Sequence, residues 1–230
     1  KYLKEHYFLD INDRNYLDDI ATPLINLKKN SANYNIAPSV SPDGNNVAFY
    51  SNQDGIMSLC LMPSDCKKCD EGSITKILKG SMSANIEEFH ILKPGISWSP
   101  DSKKLLVAVK SKGQDVLFII NKEKGYKKEK LTFKNSLKAI LQPSWNPIFD
   151  NLIAFIGSNS VQSDVYLFNL VSKELINVTN DVFTDQHVSW STDGKNLLFS
   201  SDRESNLSND KNKKSDDWGK QYDLYSISLD

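Results

Sequence analysis

The sequence predicts an all-β fold, a β-propeller of four-stranded antiparallel blades, and three observations predict it. One short motif recurs four times in register along the 230 residues. Each copy is followed by apolar runs of strand length, and no stretch within the copies sustains a helical period. The anchor position of the motif holds Val40, Trp98, Trp145 and Trp190, at spacings of 58, 47 and 45 residues. Such a period suits one four-stranded blade, the first enlarged by a loop.

Each element follows from its residues. A short strand ends at the anchor, a bulky side chain able to fill the wedge between neighbouring blades. A tight turn comes next: Ser41-Pro42-Asp43-Gly44, Ser99-Pro100-Asp101-Ser102, Asn146-Pro147-Ile148-Phe149-Asp150 and Ser191-Thr192-Asp193-Gly194. Proline presets φ, aspartate bonds the backbone ahead of it, and glycine accepts a positive φ. In the second copy Ser102 replaces glycine, and the third carries one extra residue. A buried second strand then reads in 46–51 and 196–201, and a third in 57–62, 115–120, 164–170 and 222–229. Outer strands read in 74–78, 129–132 and 174–179.

The pattern of an aromatic, then Ser-Pro-Asp-Gly, then an Ile-Ala-Phe-type strand resembles the repeat of TolB-like, WD-repeat-like propellers, over residues 36–230. The resemblance implies an exported, periplasm-like setting and either a partner-binding protein or the propeller half of a larger peptidase. It divides the chain into an N-terminal arm, 1–20, and a propeller, 21–230, with blades at about 36–79, 95–133, 142–180 and 187–230. Residues 21–28 read as an outer strand with no inner strands before it, and the last copy stops after its third strand. Together the two are expected to close a four-bladed ring; alternatively, the four blades belong to a larger propeller. The chain starts at Lys1, without an initiator methionine, and is expected to be a segment of a longer protein.

Composition narrows the function classes. The 28 basic and 29 acidic residues leave a net charge of −1, no global reason for nucleic acid or anionic lipid as partner. No apolar run reaches the length of a membrane-spanning helix, so no insertion is expected. The basic run 122–130 is interrupted by acids and reads as a solvated hairpin loop. Cys66 and Cys69 read as a local disulfide or two free thiols, and Cys60 as a buried strand residue.

Catalytic motifs are absent: Gly95-Ile96-Ser97-Trp98-Ser99 is not a nucleophile elbow, and no H-E-x-x-H, phosphate loop or calcium loop occurs. Some TolB-like propellers are metal-dependent polysaccharide lyases with several channel histidines; three histidines in all depart from that pattern. No cofactor or metal is therefore expected. In a blade, the loop between strands two and three shares a face with the inter-blade connections. That face collects the long loops 80–94, 180–186 and 203–220, and with them the candidate contacts His187, Trp218, Asp185, His90 and Glu88. The expected role is a non-catalytic module binding a protein or peptide there. Val40, Asp43, Gly44, Trp98, Asp101, Trp145, Trp190, Asp193 and Gly194 are expected to be structural.

Overall fold

In a computed structural model of the chain, residues 24–25, 32–66, 69–80, 86–91, 93, 95–133, 137–203 and 222–229 are described. They form sixteen strands and one 3-10 turn, with no α-helix among them. The first blade is β1 (Asn35–Val40), β2 (Asn46–Ser51), β3 (Ser58–Pro63) and β4 (Thr75–Lys79), paired antiparallel from inside outwards. In the second blade the inner strand is split into β5 (Glu88–Phe89) and β6 (Ile96–Trp98), both paired with β7 (Lys104–Ser111). Outside it lie β8 (Gln114–Asn121) and β9 (Lys127–Leu131). The third blade is β10 (Ala139–Trp145), β11 (Leu152–Ser158), β12 (Ser163–Asn169) and β13 (Leu175–Asn177). The fourth has three strands, β14 (Asp185–Trp190), β15 (Asn196–Ser201) and β16 (Asp223–Ser228).

Blades pack face to face, so a second strand is buried on both sides and reads as a continuous apolar run. In β7, Leu105, Val107 and Val109 join Ala48, Tyr50, Leu59 and Leu61 of the first blade. Leu106 and Ala108 point the other way and join Ile153 and Phe155 of the third. Ala154 and Ile156 then meet Leu197 and Phe199 of the fourth.

The recurrent turn is held by one hydrogen-bond set. The Ser41 hydroxyl donates to Asp43 and accepts from the Asn46 amide, and Asp43 accepts from the Asn45 amide. Ser99, Asp101, Lys103 and Lys104 repeat the arrangement, as do Ser191, Asp193, Lys195 and Asn196. Gly44 and Gly194 take φ of 75° and 71°, which only glycine adopts without cost. In the third blade Asn146 does the capping alone, accepting from the Ile148 and Phe149 amides. The two departures from the motif are also the links between turns. Ser102, at φ 60°, accepts from the Asp43 amide of the first blade, and the Asn146 amide group donates to the Gly194 carbonyl of the fourth.

The anchors lock each blade to the one before. Trp98 donates its indole N–H to the Ser39 carbonyl and Trp190 to the Ser144 carbonyl, both at 3.1 Å. Trp145 bonds within its own turn, to Asp150, while its amide bonds Ser97. Val40 has no such seat and is 58% exposed.

Among the described residues the four blades form an open arc. Leu198 and Leu224 on the outer flank of the fourth blade are exposed like Val40. Of residues 21–28, Leu24 and Ile25 are described; Ile25 forms a parallel bridge with Cys69 in the first blade, and Leu24 accepts from the Cys69 amide. Among the described residues, β16 is the last strand of its sheet. Cys66 and Cys69 form a disulfide, and Cys60 is a buried free thiol, pushed up to about 11 by burial. The arm 1–20 lies outside the described residues.

Candidate functional site

The inner strands bring one position of every repeat to the centre: Ala37, Gly95, Gln142 and His187, each three residues before its anchor. Three of the inner strands carry a β-bulge there. Ala37-Pro38, Gln142-Pro143 and His187-Val188 each face a single residue of the second strand, between Ile36 and Ser39, Leu141 and Ser144, and Gln186 and Ser189. Ala37, Gln142 and His187 have φ of 54°, 51° and 57°, a left-handed conformation that costs side-chain-bearing residues free energy and gathers at functional positions. In the second blade the inner strand is interrupted there, between β5 and β6. Gly95 is required there, because a side chain would run into Gln142 and Pro143.

These residues, with Ser39, Ser97 and Ser144, line an open pocket of about 380 Å³. His187 is exposed in it. Its amide donates to Gln142 Oε1 at 2.9 Å and its Nδ1 lies 3.0 Å from the Ser200 hydroxyl, so the strained residue is fixed from two sides. The pocket thus joins all four blades around small hydroxyls, prolines and one imidazole. Such a surface can bond and pack against a ligand.

The other candidates lie on the inter-blade face without joining His187. Asp185, at the start of β14, is buried and taken up by Arg203, whose Nη2 is 3.1 Å from Asp185 Oδ1 and from Asp181 Oδ2. Burial pushes its carboxyl up, against hydrogen bonds from Ser201 and Thr179 and the Arg203 charge. The guanidinium lies beside the stacked Phe199 and Tyr225 rings, 5.1 and 5.0 Å from their centroids. Asp185 therefore ties the fourth blade together and is not presented to solvent. His90 pairs with Asp115 at 3.1 Å, and Asp115 also accepts the Ile140 amide of the third blade. Glu88 is exposed on the short strand β5. Trp218 lies outside the described residues.

Sequence reasoning missed Ala37, Gly95 and Gln142, and with them Asp115 and Arg203. The signal for the first three was available: they occupy the repeat position of His187. Among the described residues no three His, Cys, Asp or Glu gather as metal ligands, and no helix is long and apolar enough to cross a membrane.

No family model matches the chain, and no curated protein matches it. Solved structures do. TolB from Acinetobacter baumannii superimposes with a TM-score of 0.61 at 14% identity, covering 85% of this chain and 41% of TolB. The putative TolB from Agrobacterium tumefaciens gives 0.61 at 16% identity, covering 86% and 62%. Puromycin hydrolase gives 0.54 at 15%, covering 74% and 25%. The chain thus spans about two fifths to three fifths of the length of the two TolB structures. Identities this low speak to architecture: the fold is a TolB-like β-propeller.

Proposed function

We propose that the chain is a non-catalytic propeller module that binds a protein or peptide partner around the central pocket of its inter-blade face, in a periplasmic or otherwise exported setting. The observation that carries this reading is the conjunction of bulges and positive φ at one repeat position, half-buried at Ala37 and Gln142 and exposed at His187. Folding has to offset strained backbone at Ala37, Gln142 and His187. A use on the channel side accounts for it. The pocket is open and lined by the inner strands, a surface suited to an extended peptide or a protruding loop more than to an enclosed metabolite.

A photo-crosslinking side chain in place of His187, and as control in place of Val171 on the opposite face, tests the reading. A discrete protein adduct from position 187 and none from 171 is expected; equal labelling from both sites, or none from 187, counts against it.

The superposition on puromycin hydrolase supports a second reading, a substrate-gating propeller belonging to a larger peptidase or hydrolase. It predicts that the parent reading frame encodes a G-x-S-x-G or H-E-x-x-H domain. A channel-metal carbohydrate lyase ranks below both.

A further inference from the structure

We propose that the groove between the second and third blades, at the turn end of the strands, is a binding site for a small polyanion, a ligand bearing several phosphate or carboxylate groups. It lies on the face opposite the pocket around His187 and does not depend on the reading given for that pocket. The groove encloses about 350 Å³, within the range of small-molecule sites. Its floor is apolar, from Ile119, Trp145 and Leu170, and its walls carry Lys104, Lys124, Lys127, Lys128 and Lys173 against a single acid, Glu129. Glu129 is already engaged, 3.6 Å from Lys173. Among the described residues no ion pair is formed by Lys104, Lys124, Lys127 or Lys128. Four unpaired cations converge on one concavity in a chain whose net charge is −1.

The walls are held in place. Lys104 is drawn over the Trp145 ring, 5.9 Å from its centroid, and the Asn121 side chain caps the Lys124 amide. Concentrated like charge costs folding free energy that a bound polyanion removes. Lysines offer compact point charges, suited to phosphate or carboxylate oxygens from several directions. The geometry favours a small ligand over a nucleic acid or a membrane, because the cations converge on one concavity and the neighbouring Lys103 is paired with Glu123.

Calorimetric titration of the chain at low salt with sodium tripolyphosphate, and separately with citrate, tests the proposal. Saturable binding of at least one is expected, tripolyphosphate alone assigning a phosphate ligand and citrate alone a carboxylate one. Replacing Lys124, Lys127 and Lys128 together by Gln should weaken it about ten-fold or more, through lost Coulomb attraction. The same change at the exposed Lys79, Lys138 and Lys195 should leave it unaltered, and Glu129→Gln should strengthen it. No saturable heat with either anion overturns the proposal. So does equal weakening in both triple variants, or binding to anionic vesicles or an octaglutamate peptide with neither small anion bound.

Discussion

At Ser99 the whole logic of the turn passes through one buried hydroxyl. It donates to Asp101 at 2.6 Å and accepts from the Lys104 amide at 2.9 Å. Ser99→Ala leaves both partners short of a bond and is expected to cost about 1–3 kcal/mol in urea unfolding. Asp101 adds a pH signature. Burial acts to raise its carboxyl, but hydrogen bonds from Ser99 and the Lys103 amide, with the charges of Lys104 and Lys103, carry it below its ordinary value. A carboxyl depressed by folding contributes stability above its unfolded pKa, about 3.9, and loses it as pH falls through the lower folded value. The gap between wild type and Asp101→Asn should therefore be widest near neutrality and narrow in acid. A gap that is constant or grows below about pH 3 would contradict the assignment. Cys60 makes a separate residue-scale test. Buried, and with its thiol pushed up to about 11, it should resist a thiol reagent in the native chain and react on unfolding.

At the scale of the element, two glycines in equivalent turns separate conformational cost from packing. Gly44 and Gly194 share a positive φ, but a methyl group on Gly44 meets nothing within 4 Å, whereas one on Gly194 falls 2.5 Å from Asn146 Oδ1. Gly44→Ala should cost about 1 kcal/mol, the left-handed penalty alone. Gly194→Ala should cost about 2 kcal/mol or more, because Asn146 must also release its contacts to Gly194, Ile148 and Phe149. Equal unfolding midpoints for the two variants would show that the turn of the fourth blade does not depend on the third. These turns were legible in the sequence because serine and aspartate make the same bonds in three of them, with glycine at the positive φ in two. Strand order was legible for the same reason. The bulges were not: Ala37, Gln142 and His187 share a φ without sharing any chemistry, and their bulge arises in pairing with a strand about a dozen residues on. Asp185 reads as an exposed candidate because its partner, Arg203, borders a long loop. The basic groove escaped notice because Lys173 meets the 122–130 hairpin only through blade packing.

At the scale of the molecule, an open arc leaves flanks that a ring would cover. Ala48, Leu106 and Ala154 hold one repeat position, each fully buried against the next blade; Leu198 holds it in the fourth and is 42% exposed. Leu224 beside it is 87% exposed. Apolar faces of this kind associate with whatever presents a matching surface. For the chain alone, the surface at hand is that of another copy. The expectation is a sedimentation mass that rises above 26.0 kDa with concentration. Leu198→Lys with Leu224→Lys should hold the chain at that mass. Since both side chains already meet solvent, the double variant should shift unfolding stability by no more than about 1 kcal/mol. A variant that still associates like the wild type would move the contact to the Val40 flank. A variant that loses several kcal/mol would mean that the fourth blade is covered in solution by a part of the chain itself, and that the arc closes.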